Sequence, residues 1–326
     1  YARCYASTQN TFYKRVTGEI YQYLVRDMCT SDGLFYSAED ADSEGEEGKF
    51  HTWTYDELKQ VLKPEELNKL EKLYKLNPQG NFTDEASHQL NGRNIFHLSN
   101  DQELDSNTQT ILDRLYEARE QRIHPLKDDK LLTDWNSLTI VALATSYSCT
   151  QEPKYLDLAE RSMKSLKTLM LDADLKLCKS ARSGKLSKAP GTIADYAFFI
   201  WALIDLFQVT CKAEYIELVM KLMKHTIDQF WDEAAGGFFY SAKDSLDLPI
   251  NTKELYDGAI PSANSIMAAN LYFSYQYSGH EELNKILKQQ NSLMYQHSKS
   301  YPSGHTQFIS YLESSLEPLL MACQIT

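Results

Sequence analysis

Gly33-Leu34-Phe35-Tyr36-Ser37-Ala38-Glu39-Asp40 returns as Gly237-Phe238-Phe239-Tyr240-Ser241-Ala242-Lys243-Asp244, and a weaker copy lies between them at Leu177-Cys178-Lys179-Ser180-Ala181. Each copy follows a helical pattern that opens on an aromatic residue. Phe12 stands 26 positions before Ala38, Tyr155 26 before Ala181, and Tyr215 27 before Ala242. The last two copies are 61 residues apart. A fixed period of this size marks stacked supersecondary units.

The stretches around the copies show what the unit is. Residues 136–149 are almost wholly apolar or small, so the spacing predicts a helix buried on all sides. Residues 155–170 place Tyr155, Leu158, Ala159, Met163, Leu166 and Leu169 on one stripe between charges. The pair recurs at 193–207 with 214–231, and at 263–273 with 281–297. A buried helix, a short turn and an amphipathic helix, repeated, predict two helical layers. The expected fold is all-α, an (α/α) toroid of helical hairpins, with a curved solenoid as the alternative. Minor irregular or β-hairpin insertions accompany it.

Length and composition bound the rest. The 326 residues suggest about two domains by size alone. The repeat instead predicts one toroid domain over 1–326, with an insertion at about 44–130 that holds a capping box at Thr54 and Glu57, a helix from Pro64 to Leu76 and another over 107–121. About 240 residues remain outside the insertion, enough for about four hairpins of ~60 residues, so an incomplete segment of a larger ring is expected. Asp and Glu number 45 against 33 Lys and Arg, a net charge of −12, which disfavours nucleic acid and anionic membranes as partners. No run approaches the ~18 apolar residues of a membrane span. Cys4, Cys29, Cys149, Cys178, Cys211 and Cys323 show neither C-x-x-C nor metal spacing. Six unpaired thiols favour a cytoplasmic location.

The buried helices begin with capping signals at Thr133, Thr192 with Asp195, Ser262 and Ser303. If these helices run parallel, their N-termini gather at one end, where the helix dipoles favour anions and polar ligands. That end collects Trp135, Asn136, Asp195, Tyr196, Asn264 and His305. Three constellations carry candidate chemistry. Glu39 to Glu47 packs six acids into a turn, and Asp40, Asp42, Glu44 and Gly45 match EF-hand positions 1, 3, 5 and 6. Position 12 is His51 and no EF-hand helix pair is evident, so no metal is assigned. Asp128-Asp129-Lys130 precedes Trp135-Asn136, an indole and an amide suited to a sugar face and its hydroxyls. Tyr256-Asp257-Gly258 precedes the buried helix at 263–273. Carboxylates used as a general acid and base need one group raised in pKa and another left ionised. Glu39, Asp40, Asp42, Asp195 and Asp257 are the catalytic candidates. Asp129, Trp135, Asn136, Tyr196, Tyr256, Asn264 and His305 are the substrate-binding candidates.

At these motifs the chain resembles a known family. FYSAEDADSEGEEGKFHTW, GRNIFHL, RIHPLKDDKLLTDWNSL, ADYAFFIWALIDL, WDEAAGGFFYSA, YDGAIPSANS and YPSGH occur in that order. Together they resemble the spermatogenesis-associated, thioredoxin-domain-containing proteins, which include the bacterial YyaL-like proteins. The resemblance implies the six-hairpin glycosidase-like region of that family, with a thioredoxin-like domain as its partner in the full-length chain. It also implies kinship with sugar epimerases and glycoside hydrolases. Three positions depart from the family pattern: Ala194 stands where a second acid precedes Asp195-Tyr196, Ala263 where a glycine precedes Asn264-Ser265, and Asp134 where a small residue is usual. The histidine pair of the related epimerases is not recognisable. Two readings follow. One is a carbohydrate-active domain acting by carboxylate acid/base chemistry without a cofactor, on a sugar-like small molecule. The other is a non-catalytic helical binding or scaffold module.

Overall fold

The computed structural model describes residues 1–83, 89–98, 104–245 and 250–316. Cys323 falls outside them. Twelve α-helices are present among the described residues. They are α1 (Ala2–Thr8), α2 (Thr11–Tyr23), α3 (Tyr55–Val61), α4 (Pro64–Tyr74), α5 (Ser106–Arg119) and α6 (Thr133–Thr150). The remainder are α7 (Pro153–Met170), α8 (Ile193–Thr210), α9 (Ala213–Phe230), α10 (Ala263–Ser278), α11 (Glu281–Ser300) and α12 (Thr306–Ser315). A π-helical turn, Leu24–Met28, extends α2, and a 3-10 turn, Pro302–Gly304, precedes α12. Strands are short: β1 (Ala38–Glu39), β2 (Asp42–Ser43), β3 (Glu46–Glu47), β4 (Trp53–Thr54), β5 (Arg93–Asn94), β6 (Lys127–Asp128), β7 (Leu131–Leu132), β8 (Ser180–Arg182) and β9 (Lys185–Leu186).

The architecture is all-α, with helical hairpins in two layers as in an (α/α) toroid. In one layer α1 packs on α6, α6 on α8, α8 on α10 and α10 on α12. In the other, α7, α9 and α11 pack on α6, α8 and α10. The apolar helices form the first layer because they meet neighbours on several sides. Phe198, Phe199, Ile200, Leu203 and Leu206 of α8 are fully enclosed, and each such side chain contributes about 1.5–3 kcal/mol. By length and composition α8 would qualify as a membrane span, contrary to the sequence expectation, but most of it is buried in this core. The stripes of α7 and α9 bury Tyr155, Leu158, Met163 and Leu166, and Ile216, Val219, Met223 and Phe230.

Three expectations need correction. First, α6 is not buried all round. Trp135 and Ala142 are exposed and Leu138 and Thr139 half-buried, one face at helical spacing. Second, the insertion forms a compact unit of its own, with bounds other than those expected. The larger of the two units holds Tyr1–Gln9, Thr17–Ser37 and Asp129–Thr326; the smaller holds Asn10–Val16 and Ala38–Asp128. The smaller unit has its own core of Trp53, Leu58, Leu62, Leu67, Leu70, Tyr74, Ile111 and Leu115, which is why the insertion stands as a unit. It starts at Ala38 rather than 44, and its Thr54–Glu57 capping box forms as expected. Third, the repeat is one residue out of register in its first copy. The backbone bridges Cys29–Phe35, Leu171–Leu177 and Trp231–Phe238 make Phe35, Leu177 and Phe238 equivalent. Matching the Ser-Ala pairs would instead pair Phe35 with Phe239.

Candidate functional site

The first turns of α6 and α8 meet the bend just before β8 at a charged cluster. Lys179 Nζ donates to Asp134 Oδ2 at 2.5 Å and to Asp195 Oδ1 at 3.1 Å. The Asp134 N–H also donates to Asp195 Oδ1, at 3.1 Å. Asp195 Oδ2 accepts from the Thr192 N–H (2.7 Å) and hydroxyl (2.9 Å), completing the expected capping box. Asp195 is fully enclosed, the Asp134 side chain is 8% exposed and that of Lys179 26%. Burial pushes the Asp195 carboxyl up from 3.8 to about 6, against the pull of Lys179 and with a further push from Asp134. Lys179 sits above the usual ammonium range: burial works against its charge, but the two carboxylates outweigh it. The lysine therefore stays charged, while Asp195 keeps its proton to a higher pH than an exposed carboxyl does.

Other predicted residues of the larger unit are bound up in holding the loops. Asn136, 1% exposed, accepts the Phe35 N–H at 2.7 Å and donates to the Phe35 carbonyl at 3.0 Å and to that of Leu132 at 2.9 Å. Asn264, fully buried, does the same for Phe238 at 2.8 and 3.0 Å and donates to the Glu254 carbonyl at 2.9 Å. Tyr196 completes the series: its hydroxyl accepts the Leu177 N–H at 2.9 Å. The first turn of each of these helices thus clamps the turn behind the preceding amphipathic helix. Both amides are engaged within the fold, and Asn264 Oδ1 also accepts from Gln290 Nε2 at 3.3 Å. Asp257 joins two helix starts, accepting from the Ser262 N–H at 2.8 Å and the Gln307 N–H at 2.9 Å. His305, buried, pairs its Nδ1 with the Tyr301 carbonyl at 2.9 Å. Thr133 caps nothing: Leu132 is the N-cap, and the Thr133 hydroxyl donates to the Cys178 carbonyl at 2.6 Å. Ser303 falls within the 3-10 turn, and His305 is the N-cap of α12.

Aromatic faces remain open at the same helix ends. Trp135 is 43% exposed, and its backbone N–H donates to Asp134 Oδ1 at 2.9 Å. Tyr256 and Tyr301 stack with planes 6° apart and centroids at 6.0 Å, both more than half exposed. Asp129 pairs with Arg182.

In the smaller unit the acidic turn is a hairpin. β2 pairs with β3 across Glu44-Gly45, both at positive φ. Lys49 pairs with Glu44 (3.3 Å) and Glu46 (3.2 Å), and Lys127 with Glu39 (3.3 Å). Asp40 Oδ1 accepts the Asp42 N–H at 3.1 Å, and both acids are exposed. Lys49 and Lys127 thus offset part of the negative charge of the six acids. Glu39, Asp40 and Asp42 therefore lie in one unit, and Asp195 and Asp257 in the other. Among the described residues no three His, Cys, Asp or Glu side chains group as a metal site.

The chain is similar to spermatogenesis-associated protein 20. It is 30% identical to the human protein over 320 residues, 86% of this chain and 41% of that one. The mouse protein is also 30% identical, over 86% of this chain and 40% of its own length. An uncharacterised protein of Caenorhabditis elegans is 31% identical over 82% of this chain and 41% of its own. The chain thus spans about two-fifths of the length of these relatives. No family model matches it. Among solved structures, cellobiose 2-epimerase from Bacillus thermoamylovorans has a TM-score of 0.45 at 17% identity, over 52% of this chain and 46% of that one. A D-mannose isomerase has a TM-score of 0.45 at 15% identity, over 92% and 73%.

Sequence reasoning passed over Asp134, Lys179 and Tyr301 as site residues. Lys179 had a signal: it is equivalent to Tyr240, since their carbonyls accept from Thr133 and Ile193 at the starts of α6 and α8.

Proposed function

We propose that the helical unit is a carbohydrate-directed domain whose chemistry centres on Asp134, Lys179 and Asp195, with Trp135 as the platform for a sugar ring. The observation that carries this reading is an exposed indole next to Asp134, whose buried carboxylate is bridged by Lys179 to the fully enclosed Asp195. Tryptophan faces stack on the apolar face of a pyranose, as they do on other rings. A carboxyl poised near pH 6 suits proton transfer near neutrality. Lys179, the member with most solvent exposure, would meet a sugar oxygen first, and Asp134 and Asp195 would set its charge.

A second reading is favoured by one observation: Asp195 is fully enclosed and both its oxygens are engaged. In that case the unit binds a sugar without turning it over, and serves as a helical module beside a thioredoxin-like domain in a longer chain. A panel of neutral mono- and disaccharides, assayed for binding and turnover with the parent, Trp135→Ala and Asp195→Asn, separates the two. Turnover lost in Asp195→Asn with binding kept supports acid/base chemistry. Binding lost only in Trp135→Ala, with no turnover by the parent, supports the module. Full binding by Trp135→Ala sinks both.

A further inference from the structure

A cavity of about 740 Å3 opens between the turn that holds Thr30 to Tyr36 and the outer helix α7. Arg161 and Lys164 line it from positions i and i+3 of α7, so they stand side by side. Neither side chain has an ion-pair or hydrogen-bond partner among the described residues. Gly33, at φ +86°, makes room for the arginine: a Cβ there would lie 2.9 Å from Arg161 Nε. The Arg161 charge reaches into the turn, where it opposes the rise that burial imposes on the Cys29 thiol. Of the acids on the wall, Asp129 is tied to Arg182, which leaves Asp32. Two unpaired cations facing one acid are unusual in a chain with 45 acids to 33 bases. The Thr30 hydroxyl, which accepts the Leu34 N–H at 3.0 Å, keeps its own proton to donate.

We propose that this cavity binds the phosphate monoester of a small polar molecule, with Arg161 forked on the phosphate oxygens and Lys164 as a second charge. An arginine fork matches phosphate geometry, and a lysine adds a point charge. The volume leaves room for a group of monosaccharide size. This site does not depend on the Asp195 cluster.

Calorimetric titration of the chain with glucose 6-phosphate, inorganic phosphate and glucose tests it, using the parent, Arg161→Ala/Lys164→Ala and Asp195→Asn. The expected result is that glucose 6-phosphate binds and weakens as salt rises. The double variant should lose at least about tenfold in affinity, and Asp195→Asn should bind like the parent. Arg161→Lys, which keeps the charge and loses the fork, should fall between. Inorganic phosphate showing the same loss in the double variant supports the contact. The proposal is overturned if neither phosphate binds, if glucose binds as well as its 6-phosphate, or if the double variant binds like the parent. Both side chains are solvent-exposed, so an unchanged melting temperature verifies that the variant still folds.

Discussion

At the scale of single residues, Lys179 decides the state of the site. It is the only cation that ion-pairs with Asp134 and Asp195 among the described residues. Lys179→Met would leave two buried carboxylates facing each other, at a cost on the order of 3 kcal/mol at pH 7. The pH dependence has a fixed sign. A carboxyl raised from 3.8 to about 6 holds its proton more tightly in the folded chain than in the unfolded one. Its contribution is greatest below about pH 4 and is lost as pH rises through 6. Asp205 adds to the same trend, because burial lifts it to about 7. Urea midpoints at pH 5 and pH 8 should therefore fall with pH in the parent, and more steeply in Lys179→Met. An equal fall in both would mean that the lysine does not set the carboxylates. Asp195 was legible from its capping spacing, three residues after Thr192. Lys179 stood out only through the repeat, where it takes the place of Tyr240, because its partners lie 45 and 16 residues away and no local pattern links them.

At the scale of elements, the helix starts do two jobs. The apolar and striped helices were legible because periodicity reports burial directly. The loop clamps were misread because an Asn on a first helical turn looks alike whether it reads a ligand or a neighbouring backbone. Asn136 and Asn264 take the second role. Asn264→Ala would strip the Phe238 N–H and carbonyl of their partners in a closed interior, and should cost roughly 2–4 kcal/mol. Hydrogen exchange should speed up first at Phe238 and along the first turn of α10. A loss below about 0.5 kcal/mol, within the range of an ordinary surface substitution, would contradict the clamp. The same logic explains Asp257. Its two oxygens satisfy the starts of α10 and α12, so it belongs to the frame that holds the open aromatics Tyr256 and Tyr301.

At the scale of the molecule, the repeat foretold helical hairpins in two layers, but not the division into units. That division depends on whether the insertion closes a core of its own. Trp53, Leu58, Leu70 and Ile111 close one, although they are scattered over nearly sixty residues with no shared period. The candidate acids are parted by the same division, so the helical unit must be judged on what it alone contains. It contains Asp195 with its raised carboxyl, a lysine with partial access to solvent that bridges it to Asp134, and an exposed indole beside Asp134. The measurement that tests this most directly is a 13C titration of the Asp195 carboxyl, with and without a saturating sugar from the binding panel. The expected result is a midpoint near 6 that moves when sugar binds, and no movement in Trp135→Ala. A midpoint near 4, or one that ignores the sugar, would contradict it.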